Sequence, residues 1–182
     1  MDKNKRESDK KFFKTLFYNS RWTLGTVLLI AVLYILFLPK EMNSQIWKWS
    51  IIGIAALKVF LIVKLTFGQL SRVLGESHSL KHVLGLFMLI ISSIVLSFAS
   101  DYFALYLNEA VSFKTNLINT EPSIFLFFEF FYYSLISFAT VGYGDFVPVS
   151  LSAKFLVILE TILYFFVLIF ATTNINRINI ID

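Results

Sequence analysis

The sequence predicts an all-α membrane protein with four transmembrane helices plus a shorter re-entrant helix that leads into an extended segment. Three observations carry that reading. The chain of 182 residues is 57% apolar and 15% charged, whereas a soluble domain is about half apolar with roughly a quarter of its residues charged. The apolar residues gather in four long blocks, with nearly all the charge in the short segments between them. Cysteine is absent, which removes a disulfide framework, a thiolate metal site and a thiol redox centre. A soluble globular enzyme, a disordered tail and a collagen-like chain are excluded by this composition.

Each span is justified by length, since about 20 mostly apolar residues are needed to cross about 30 Å of hydrocarbon. Trp22 to Leu38 is the first, stopped by Pro39. Ile46 to Phe67 is the second, with Lys48 at its mouth and Lys58 and Lys64 inside it. Val83 to about Leu107 is the third and turns polar from Ser100 and Asp101. Leu151 to Thr173 is the fourth, interrupted by Lys154 and Glu160. The stretch Ile124 to Ala139 is too short to span and suits a re-entrant or buried helix.

Basic residues in short loops set the orientation. Residues 1–21 hold Lys3, Lys5, Arg6, Lys10, Lys11, Lys14 and Arg21, and the link between spans two and three holds Arg72 and Lys81. Both termini are therefore expected in the cytoplasm of a multi-pass protein of the cell membrane, with the region from Asn108 to Ser150 outside. No small-residue cleavage site follows the first apolar run, so an uncleaved first span is expected rather than a signal peptide. The net charge of +4 is read as topology, with membrane lipid as a partner and no nucleic acid. The expected organisation is a basic N-terminal segment (1–21), a peripheral hairpin of spans one and two (22–67), a cytoplasmic linker (68–82), a unit from 83 to 173, and a short cytoplasmic tail (174–182). That tail is too short for a nucleotide- or calcium-binding domain.

Between the re-entrant stretch and span four lies Thr140-Val141-Gly142-Tyr143-Gly144-Asp145. Non-helical backbone at membrane depth is tolerated only when buried in protein or lining a wet pathway. An ion that sheds its water there needs oxygens in place of its hydration shell. A column of carbonyls on one side of a strand requires backbone angles of alternating hand, which glycine adopts without strain. Gly142 and Gly144 stand at alternate positions, as such a column demands. Val141 and Tyr143 then point outward as wedges, and the Thr140 hydroxyl can add a ligand at the inner end.

Thr140 to Gly144 reads TVGYG, and with Phe138-Ala139 before it and Asp145-Phe146-Val147-Pro148 after it the block resembles the selectivity filter of bacterial potassium channels of the pore-loop family. Residues 83–173 resemble one outer-helix, pore-helix, filter and inner-helix unit of that family, with the pore helix at 123–139, the filter at 140–145 and the inner helix at 151–173. The resemblance implies a homotetrameric pore that conducts K+ passively, with no cofactor. It also implies K+ coordination by Thr140, Val141, Gly142 and Tyr143, with Gly144, Asp145 and Tyr132 setting the filter geometry and outer mouth. A closed fourfold ring would bring four strands around one axis, and the C-terminal end of each pore helix would favour a cation beneath the filter. Pro122 suits the first turn of that helix, with Thr120 or Ser123 as its cap.

Departures from the family pattern are local. Tyr132 and Tyr133 stand where many members carry two tryptophans, one of which braces the aspartate after the filter. Tyr132 to Asp145 is the substitute, since a phenol also donates. Ile136 stands where some members carry a glutamate behind the filter. Span four has no glycine, so a glycine-hinged gate is not expected.

Several residues carry more than one reading. Glu160 lies about nine residues, roughly 14 Å, into span four, and an ionisable group at that depth is a candidate for function. It could form an acidic ring in a central cavity, hydrogen-bond the back of the pore helix, or pair with Lys58. Lys58 itself is expected to snorkel or to pack on the protein side. Glu129 either complements the N-terminal end of the pore helix or attracts cations to the mouth. His78 and His82 are four apart, with no third ligand nearby, and are read as loop residues. The phenylalanines are read as lipid-facing and interhelical packing. Spans one and two lack the regularly spaced basic residues of a voltage sensor. The sequence leaves the stimulus and any regulatory partner unknown. Two rivals to a potassium-selective channel are a weakly selective cation channel and a non-conducting subunit that assembles with other channel chains.

Overall fold

A computed structural model describes residues 45–76, 80–115 and 123–175, together with Gly25 and Leu29, both helical. The remainder of the expected first span, the basic N-terminal segment, His78, Thr120, Pro122 and the end of the tail lie outside the described residues. Among the described residues four long α-helices carry the architecture. They are α1 (Gln45–Glu76), α2 (Leu80–Asn108), α3 (Ser123–Phe138) and α4 (Leu151–Ile175). Three described segments are long and apolar enough to cross a membrane: Ile46–Lys64, Phe87–Asn108 and Leu151–Thr173. Helix α3 has 16 residues, about 24 Å of rise, and falls short of the hydrocarbon thickness.

Helix α1 continues well past Phe67 to Glu76, and α2 begins at Leu80. Most of the expected linker is therefore helical. Leu70, Val73 and Leu74 keep helical spacing beyond the hydrocarbon edge, and a nucleated helix gains a hydrogen bond with each added residue.

Helix α2 is the centre of the chain and packs against α1, α3 and α4. Ile94, Phe98, Ala99, Tyr102 and Leu105 are fully or almost fully buried along it. A helix apolar on all sides must be surrounded to be accommodated, and α2 is the one so placed. Helix α4 buries Ala153, Leu156, Glu160, Leu163 and Val167, a three- and four-residue repeat that forms one face. Its opposite side, with Ile158, Ile162, Phe165 and Ile169, is exposed in the single chain.

Helix α1 lies against α2 and α4 of the same chain, and polar contacts fix it there. Lys58 Nζ donates to Asp101 Oδ1 at 2.6 Å and to the Ser97 carbonyl at 3.3 Å. Both side chains of the ion pair are almost completely buried. Near the other end, Lys48 Nζ lies 2.8 Å from Glu109 Oε1. The start of α1 thus meets the end of α2, as an antiparallel pair requires.

Glu109 lies beyond the end of α2, and its hydrogen bond with Lys48 holds its carboxyl below the usual carboxylate range, with further help from Ser112. A carboxyl lowered in the folded state contributes stability above its ordinary value of 4.5, and that contribution is lost as pH falls through the lower folded value. Glu109→Gln is expected to cost less than about 1 kcal/mol at neutral pH, because the pair is partly solvated. Thermal melts in detergent should show this difference between wild type and variant shrinking as the pH is taken below the carboxylate range.

Two short strands close the end at which α2 stops and α4 starts. Phe113 pairs with Pro148 and Lys114 with Val147, antiparallel. The backbone N–H groups of Val149 and Ser150 both donate to the Ser112 carbonyl. Ser150 Oγ then accepts from the Ala153 N–H at 3.1 Å, the side-chain cap that starts α4.

Candidate functional site

The segment Thr140 to Asp145 begins where α3 stops, and the manner of stopping sets its course. The Val141 N–H donates to the Ile136 carbonyl at 2.9 Å, and the Thr140 N–H donates to the Ser137 carbonyl at 3.0 Å. These are the paired bonds that close a helix when the residue just past its end turns left-handed. Thr140 is that residue, with φ at +56°. Glycine usually occupies such a position. A β-branched residue there is a conformational outlier that the surroundings must hold in place.

The left-handed turn at Thr140 begins an alternation. Gly142 has φ at +56° and Gly144 has φ at +83°, and no other described residue has a positive value. Every second residue from Thr140 to Gly144 therefore takes the hand that glycine prefers. All six residues, Thr140 to Asp145, are exposed in the single chain. Val141 and Tyr143 leave 49% and 72% of their surface open, a large apolar area to leave bare on a strand flanked by membrane helices. The two glycines at alternate positions were legible in the sequence. The third left-handed position, Thr140, was not, because its cause is helix termination rather than residue type.

Phe146 anchors the far end of the segment and is buried. Its ring stacks on Tyr133 with centroids 5.3 Å apart and meets Phe130 edge-on at 5.6 Å. Tyr133 in turn packs on Tyr102 and Phe113, at 4.9 and 5.7 Å. Five aromatic rings, Tyr102 from α2, Phe113 from the first short strand, Phe130 and Tyr133 from α3 and Phe146, thus form one cluster beside the segment. Stacked and edge-to-face rings add stabilisation beyond their buried area. Among 21 phenylalanines, no sequence spacing sets apart the three that meet here, because they come from three separate segments. Tyr132, the neighbour of Tyr133, has its hydroxyl close to the Asp145 carboxylate. Asp145 Oδ1 accepts from the Phe146 N–H at 3.1 Å.

Glu160 is 1% exposed and turns its carboxyl group toward the backs of α2 and α3. The Tyr102 hydroxyl donates to Oε2 at 2.6 Å, and Ser134 Oγ lies 2.5 Å from Oε1. Ser134 Oγ also lies 3.0 Å from the Val95 carbonyl. One carboxyl group of α4 is therefore tied to both α2 and α3. Lys58 is engaged with Asp101 instead of Glu160, and it packs on the protein side rather than snorkelling. The sequence marked Asp101 only as the start of a polar end. The 43 residues that separate it from Lys58 give no spacing cue. Glu129 is partly buried on α3. No group of three or more His, Asp or Glu residues suited to a metal occurs among the described residues.

A re-entrant helix, a following segment of alternating hand, and two flanking spans that enclose the helix define a pore-loop channel subunit. Residues 83–180 match the family described as Ion channel, and this chain belongs to that family. Its long apolar helices fit a membrane protein, and the family is one of channels rather than enzymes. The chain is 34% identical over 137 residues to the voltage-gated potassium channel Kch of Escherichia coli (strain K12), a match covering 73% of this chain and 27% of that protein. The chain thus matches about a quarter of that relative's length. No solved structure matches it.

Proposed function

We propose that this chain is one subunit of a homotetrameric, potassium-selective channel in the cell membrane, with both termini cytoplasmic. Four copies of Thr140 to Tyr143 surround a common axis. Potassium exchanges its water shell for the carbonyl oxygens of Thr140, Val141, Gly142 and Tyr143, with the Thr140 hydroxyl at the inner end. Gly144 keeps the strand's alternation, and Asp145, braced by Tyr132, places negative charge at the outer mouth. Neighbouring ions repel, so each site binds without trapping. Passage is passive and needs no cofactor.

The observation that carries this reading is the alternation of left-handed angles at Thr140, Gly142 and Gly144 in an exposed segment tied at both ends. Two further features support assembly from copies of the chain. Val141 and Tyr143 are bare in one subunit, and so are Ile124, Phe125 and Phe128 on α3 and Ile158, Ile162 and Phe165 on α4. The relative's name adds support for potassium as the permeant ion.

Flux into liposomes containing the purified chain tests the proposal. Potassium-driven uptake that sodium does not support, and that barium abolishes, is expected. Equal uptake of both ions would overturn potassium selectivity. A purified tetramer that conducts nothing under any driving force would favour the non-conducting subunit.

A further inference from the structure

The hydrogen-bond partners around Glu160 do not balance if the group is a carboxylate. Ser134 has one hydroxyl hydrogen and two oxygen neighbours, Glu160 Oε1 at 2.5 Å and the Val95 carbonyl at 3.0 Å. The carbonyl can only accept. With Glu160 ionised, one of these two contacts is left without a proton in a site closed to water. With a proton on Oε1, every contact is satisfied: Glu160 donates to Ser134, Ser134 donates to Val95, and Tyr102 donates to Oε2. Charge balance agrees. The other titratable groups facing this site are Tyr102 and Asp101 on α2 and Tyr133 on α3. The nearby cation, Lys58 on α1, is taken by Asp101. A carboxylate here would be buried with no counter-charge among the described residues, which is far costlier than burying the neutral acid.

We propose that Glu160 is a neutral carboxylic acid whose proton completes a chain of hydrogen bonds from α4 through Ser134 of α3 to the Val95 carbonyl of α2. The chain passes close to the filter at Ser134. Ser134 lies two residues before Ile136, whose carbonyl holds the Val141 N–H. Glu160 is thus a positioning residue. It touches no ion and sets the seat of the helix from which the filter emerges. The claim about the proton stands without the channel reading, and only a flux measurement depends on both.

Infrared difference spectra of wild type against Glu160→Gln, at neutral pH in lipid, read the proton directly. A protonated carboxyl C=O absorption, present in wild type, shifted in heavy water and lost in the variant, is expected. Loss of carboxylate absorptions in its place would overturn the proposal. A second arm uses stability and flux together. Glutamine supplies an N–H donor to Ser134 and an acceptor to Tyr102, so the melting temperature and the potassium flux of Glu160→Gln should stay near wild type. Glu160→Ala, which leaves Ser134 and Tyr102 unsatisfied, should lower both. A glutamine variant as impaired as the alanine variant in melting would overturn the proposal. Absent flux in wild type, with the acid absorption present, would count against the channel reading alone.

Discussion

Replacing Gly142 with alanine is expected to cut potassium flux at least about tenfold and to erode discrimination against sodium, while leaving the melting temperature nearly unchanged. The reason is conformational. Gly142 sits at φ +56°, and nothing in the single chain comes within 4 Å of where a Cβ would be placed. Space is therefore not the obstacle within a subunit. A side chain in the left-handed region costs about 1–2 kcal/mol per residue, and a fourfold assembly incurs that cost in every subunit. The strand can avoid it by turning to the other hand, which rotates a peptide plane and takes a carbonyl out of the column. The position is exposed and contributes nothing to the buried core, so folding should hardly register the change. Paired flux and melting measurements on Gly142→Ala check this, and wild-type flux with intact selectivity would count against the alternating column as the conducting element.

Breaking the Lys58–Asp101 pair is expected to be the largest single blow to stability. Both groups are buried and 2.6 Å apart, and Asp101 Oδ2 has no hydrogen-bond partner among the described residues. Removing either charge strands the other in a site without water, at a cost of about 3–5 kcal/mol. Lys58→Met or Asp101→Leu alone should therefore unfold far more readily in detergent. The double variant replaces both charges with apolar side chains and should recover most of the loss or exceed wild type, since the pair's own desolvation penalty disappears with it. A double-mutant cycle of melting free energies reads this non-additivity. Single variants that each cost less than about 1 kcal/mol, and that add in the double, would show that α1 is held to α2 by apolar packing instead.

The parts of this fold governed by local patterns were legible in the sequence. The lengths of the second, third and fourth apolar blocks matched the three described spans, the shortness of Ile124 to Ala139 matched a helix too short to cross, and the glycines at 142 and 144 matched two left-handed positions. What depended on contacts between distant segments was not legible. Lys58 and Glu160 looked alike as charges in apolar helices, yet one is met by a carboxylate from α2 and the other by hydroxyl groups from α2 and α3. The aromatic cluster beside residues 140–145 draws Phe113, Phe130 and Phe146 from three segments, and composition treats them as no different from rings facing lipid. The end of α1 was missed for another reason, because hydropathy marks where the hydrocarbon ends and not where helical hydrogen bonding ends.

The proposed selection of potassium rests on Thr140 to Tyr143. Its most direct test is the reversal potential of single channels formed by the purified chain in a planar bilayer, with potassium on one side and an equal concentration of sodium on the other. The proposed carbonyl column predicts a current that reverses far from zero, at the voltage that opposes potassium efflux. A reversal near zero would contradict it, and would mean that the carbonyl column does not discriminate between the two ions.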